Sequence, residues 1–125
     1  MNTIELRFIF VELLFIIVMI AGYRLSRKGK PYNEIIFNLH KLGALGAAVI
    51  IGLTVNKSHQ SMPADSFQLN LLVMTALCFS IMIISGGFLS IDRTIPTAIK
   101  RLHQIVPYLT ILSATLTLYP LVSKS

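Results

Sequence analysis

Residues 38–47 read NLHKLGALGA. At 100° per residue, His40 shares its side of a helix with Gly43, Ala44, Ala47 and Thr54. One ionisable ring therefore stands beside a strip of small side chains in an otherwise apolar run. Residues 99–110, IKRLHQIVPYLT, repeat the arrangement in outline around His103. That ring shares its side with Pro107, Thr110, Ala114 and Thr117. A face of small residues leaves room for a flat, bulky group against the backbone. It equally lets two helices approach closely.

Around these two stretches the 125-residue chain is apolar: 54% of its residues are hydrophobic and 13% are charged. A soluble domain would alternate its apolar and polar positions. Here the apolar residues come in runs of about twenty, the length that crosses the hydrocarbon core of a bilayer as a helix. The formal net charge of +6 is then a topology signal rather than a nucleic-acid signal, because lysine and arginine select the loops that stay in the cytoplasm. Cys78 is the single cysteine, so no internal disulfide exists, and its apolar setting suits a small core residue.

In chain order, the pattern predicts helices over 3–23, 32–55, 66–90 and 96–121. The first run carries Glu12 and shows no small-residue cleavage site before the basic segment, so it reads as a retained helix. Arg24, Arg27, Lys28 and Lys30 follow it, with Gly29 and Pro31 marking a turn. Four basic residues in one link mark it as cytoplasmic. The link at 56–66, NKSHQSMPADS, is polar and reads as an outer loop holding His59 as a solvated residue. Asp65 or Ser66 is the expected N-cap of the third helix. Arg93, Lys100 and Arg101 return the chain to the cytoplasmic side, and Thr94 with Pro96 signals a helix start. The expected fold class is all-α: an integral membrane four-helix bundle, up-down-up-down, forming a single domain. Both termini lie outside, in a bacterial inner or plasma membrane.

Depth then relates the two histidines. His40 is seven residues past Asn33 and His103 is seven past Pro96, and both helices enter from the cytoplasmic side. At 1.5 Å per residue each ring lies roughly 10 Å inside its helix start. Two histidines at one depth on different helices meet the requirement for axial ligation of one haem iron, and ionisable residues within spans tend to be functional. Gly86 and Gly87, at about that depth on the third helix, offer space for a macrocycle edge or for tight packing. Lys41, Lys100 and Arg101 are near enough to pair with haem propionates, or serve only as positive-inside residues. Pro107 removes the helical partner of the His103 carbonyl. No cysteine–histidine cluster suggests zinc.

This layout resembles the small membrane b-type cytochromes, four-helix bundles that clamp haem between histidines on facing helices. NLHKLGALGA and RLHQIVPYLT are similar to their histidine segments. The resemblance implies one-electron transfer, by a carrier or small membrane oxidoreductase, with quinone as a candidate partner. It departs from many of those proteins in that the outer halves of helices 2 and 4 hold no second histidine pair, which implies one haem b near the cytoplasmic side. With both axial positions filled, such an iron carries electrons rather than oxygen. Two rival readings remain. The chain is a non-catalytic membrane anchor or regulatory subunit of a larger complex, or a small proton-coupled transporter that uses Glu12.

Overall fold

The structure is a computed structural model that describes residues 2–61, 65–91 and 94–123. It is all-α, with four helices: α1 Thr3–Lys28, α2 Glu34–Ser61, α3 Ser66–Ser90 and α4 Thr97–Ser123. The all-α class and the four helices expected from the apolar runs are observed among the described residues.

Each helix start follows from a local hydrogen bond. Asn2 and Glu5 form a capping box at α1: the Asn2 side chain accepts from the Glu5 N–H at 2.9 Å, and the Asn2 N–H donates to Glu5 Oε2 at 3.1 Å. Asn33 caps α2 by accepting from the Ile35 and Ile36 N–H groups at 3.0 and 3.1 Å. Asp65 and Gln68 make the corresponding box at α3. Each cap satisfies orphan donors of a first turn, which contributes about 1 kcal/mol. At α4 the carbonyl of Pro96 accepts from Ile99 and Lys100.

Helix ends depart from expectation. α1 runs to Lys28 rather than residue 23, so Arg24, Arg27 and Lys28 are helical and not in a loop. Cations are favoured in a last turn, where the backbone carbonyls present negative charge. The helix stops only at Gly29, whose φ of 70° favours a residue without Cβ, and whose N–H donates to the Leu25 carbonyl. α2 continues to Ser61 rather than residue 55, which corrects the placing of residues 56–61 in a loop. None of those polar residues lacks an N–H or clashes with the preceding turn, so nothing there forces an end. His59 is accordingly a half-buried residue in the last turn of α2, not a solvated loop residue. α2 also begins two residues later, and α4 begins at Thr97 and ends two residues beyond the expected boundary. The expected turn residue Pro63 and the basic Arg93 lie outside the described residues.

The chain divides into two compact units, α1 with α2 and the last turn of α4, and α3 with the rest of α4. In the first, α1 and α2 form an antiparallel hairpin whose α1 seam is Val11, Phe15, Val18, Ala21 and Leu25, spaced by three and four residues. Facing residues on α2 are small. A Cβ on Gly43 would come within 2.7 Å of Val18 Cγ2, and one on Gly46 within 4.0 Å of Leu14 Cδ1.

In the second unit the pattern is inverted relative to a soluble protein. The buried residues of α3 are Thr75, Cys78 and Ser85. Buried residues of α4 within this unit include Thr110, Ser113, Ala114 and Thr117, while Leu77, Ile83, Ile84, Leu109 and Leu112 are exposed. Thr75 and Thr117 hydroxyls meet at 3.3 Å. Small and hydroxyl side chains inside with large aliphatics outside suit helices solvated by lipid, where packing and hydrogen bonds replace the hydrophobic effect as the force between helices. α2, α3 and α4 are each long and apolar enough to cross a bilayer, which marks the chain as a membrane protein by length and composition.

Candidate functional site

His40 lies in the second turn of α2, half-buried, with its Nδ1 2.9 Å from the carbonyl oxygen of Val18 on α1. One turn further along α1 is Gly22. A Cβ there would stand 2.8 Å from His40 Cε1 and 3.1 Å from Nδ1. The Cε1 edge of the imidazole therefore meets bare backbone, in a space that any side chain would fill. A carbonyl can only accept, so Nδ1 carries the proton. In the neutral ring this leaves the lone pair on Nε2, the nitrogen a metal would take.

His103 is built the same way in the other unit. Its Nδ1 is 2.8 Å from the hydroxyl of Ser85 on α3. Beside Ser85 is Gly86, where a Cβ would stand 3.0 Å from His103 Cε1. The Ser85 hydroxyl also reaches the Met82 carbonyl at 3.3 Å, and in its 2.8 Å contact with the ring either partner can be the donor, according to the histidine tautomer. Ser85 is 3% exposed, so this bond forms away from water.

The two units thus share one construction: a histidine on the later helix, a glycine at the Cε1 edge of its ring on the earlier helix, and a hydrogen-bond partner for Nδ1 close to that glycine. Gly22, Ser85 and the Val18 carbonyl were not among the residues singled out from sequence. Gly22 had a signal, since it is the single glycine within α1. Ser85 had only its position next to Gly86. The carbonyl had none, because every residue has one.

The other expected site residues divide by role. Gly86 meets His103 directly. Gly43 faces Val18, so the room it leaves is taken up by helix packing within the hairpin. Ala44 is half-buried, and Ala47 is fully buried. On α4, Thr110, Ala114 and Thr117 are buried and Pro107 half-buried, in line with the small face expected there. Gly87 is exposed, with open space where a Cβ would be. Lys41, Lys100 and Arg101 are exposed beside the histidines in sequence. Glu12 is half-buried midway along α1, and Cys78 is buried on α3.

Each imidazole is orientated within its own unit by a hydrogen bond through Nδ1, as ligating histidines usually are through the nitrogen that does not bind metal. Among the described residues, no three His, Cys, Asp or Glu side chains gather as a site for a bare metal ion. No protein-family model, curated protein or solved structure matches the chain.

Proposed function

We propose that this is a multi-pass membrane electron-transfer protein that holds one haem b between His40 and His103 near the cytoplasmic side. The observation that carries the proposal is the repeated construction: in each unit the Cε1 edge of the imidazole meets a glycine of the preceding helix, and Nδ1 is hydrogen-bonded to that helix, so both rings are held in place through the same nitrogen.

In this reading α1 is the fourth span, both termini lie outside, and His40 and His103 would hold the haem iron. Ala44, Ala47 and Gly86 keep the ring faces clear of bulky side chains. Lys41 and Arg101 pair with the propionates, with their stems along apolar surface and their charges at the interface. The haem, when bound, supplies reversible one-electron chemistry. The chain's own part is to orient the two imidazoles, exclude water and set the electrostatics. The electron's partner is a membrane quinone or another membrane subunit.

A reduced-minus-oxidised visible spectrum of detergent-purified protein tests this. A six-coordinate b-type signature that disappears in both His40→Ala and His103→Ala is the expected result. Folded protein that stays colourless after expression with ample haem overturns it.

A further inference from the structure

A cavity of about 430 Å³ opens on the α1–α2 hairpin, toward the start of α1 and the second half of α2. Its wall is Leu6 and Phe10 from α1 with Ile50 and Leu53 from α2, and Thr3 and Arg7 complete it. Thr3, Leu6, Arg7 and Phe10 are spaced by three and four residues, so one helix face builds that side. This is the end of the hairpin away from His40 and Gly22, and the cavity owes nothing to the histidine site.

Arg7 is the unexpected member. It is half-buried, one and a half turns into the helix, among apolar neighbours. It forms no ion pair among the described residues. The nearest carboxylate in sequence, Glu5, is engaged in the α1 capping box and belongs to a different cavity, with Phe8, Ile9 and Val122. A partly desolvated guanidinium is stabilised by an anion that can take its paired N–H donors, and a phosphate does so in bidentate fashion. The space beside it is lined by aliphatic and aromatic side chains, which suits a hydrocarbon chain. We propose that this groove is a binding site for one phospholipid of the surrounding bilayer, with its phosphate on Arg7 and the Thr3 hydroxyl and an acyl chain along Leu6, Phe10, Ile50 and Leu53. A neutral headgroup such as a quinone ring would leave the guanidinium without a counter-charge, and charge complementarity selects the phosphate.

The test is native mass spectrometry of the full chain in detergent, titrated with phosphatidylglycerol. One bound lipid is expected, with affinity at least five-fold weaker in Arg7→Gln and partly restored in Arg7→Lys. Diacylglycerol with the same chains, and ubiquinone, are expected to bind no better to the wild type than to Arg7→Gln. Ile50→Trp, which fills the cavity and spares Arg7, is expected to lose the lipid while keeping its helical circular dichroism. Arg24→Gln, at the opposite end of α1, is expected to retain it. Equal affinity in wild type and Arg7→Gln overturns the proposal. So does equal binding of diacylglycerol, preferential binding of ubiquinone or of a free fatty acid, or a matching loss in Arg24→Gln. Should Arg7→Gln fail to fold, the Ile50→Trp titration decides alone: undiminished binding there overturns it.

Discussion

His40 and His103 differ in one respect that chemistry can exploit. The first gives its Nδ1 proton to a main-chain carbonyl, and the second has its Nδ1 hydrogen-bonded to the Ser85 side chain. Only the second bond can be removed by substitution. In Ser85→Ala the His103 ring loses its Nδ1 partner, and ¹⁵N NMR of haem-free protein should show its tautomer balance shifted from that of the wild type. Loss of such a partner usually weakens a metal ligand's site by roughly 10- to 100-fold, so haem titration of Ser85→Ala should show weakening in that range. An unchanged tautomer would dismiss the hydrogen bond whatever the haem titration gives. The glycines make a second residue-scale prediction. Gly43→Ala places a methyl 2.7 Å from Val18, a stiff β-branched residue. Overpacking costs about 1–3 kcal/mol against a helix-propensity gain of about 1 kcal/mol, so the variant should be destabilised. At Gly52 and Gly87 a Cβ meets nothing; alanine there should stabilise by up to about 1 kcal/mol. Thermal denaturation in detergent compares the three. The histidines and their small neighbours were legible in the sequence because helical periodicity puts them on one face. Gly22 and Ser85 were not, because a partner on another helix is a long-range fact with no local pattern.

At the scale of the helix, starts were easier to read than ends. Asp65 was expected as an N-cap and makes that bond to Gln68. A cap is a local, side-chain-specific device, so its residue type announces it. Asp65→Ala should cost about 1 kcal/mol, seen as a lower midpoint in a denaturant or thermal series. Ends lack such a device unless glycine or proline supplies one. The polar residues 56–61 reduce hydropathy without opposing the helix, and α2 runs through them. The basic residues after 23 extend α1 for a related reason, since they stabilise the last turn rather than end it. They also bring Arg27 to 6.0 Å from the centre of the Tyr23 ring, with Lys30 at 6.0 Å from that of Tyr32. A band of tyrosines and cations at one end of the hairpin is the composition of a membrane–water interface.

For the whole molecule the strongest inference is the distribution of side chains between inside and outside. In the unit of α3 and most of α4, buried threonines and serines lie beneath exposed leucines and isoleucines, in keeping with apolar runs too long and too continuous for a soluble core. The direction of the chain across the membrane is a separate matter, argued from charge, and cysteine labelling checks it. With Cys78 replaced, Gln60→Cys should react with an impermeant reagent from outside intact cells, and Ser26→Cys should not. Ser58, though nearby, is buried at 6% exposure and would give a false negative. Labelling of Ser26→Cys alone from outside would reverse the orientation and move the histidine ends to the other face.

The unequal anchoring of the two imidazoles has a consequence for how this chain can vary over time. A main-chain oxygen is specified by no codon. Substitution at position 18 can change the packing around His40 yet leaves the acceptor in place, so that position is free to drift among residues of similar volume. Position 85 has no such protection: serine, threonine or another hydrogen-bonding residue must be kept there by selection, and a single base change can remove it. Among descendants of this sequence, one histidine should show a permanent tether and the other an adjustable one.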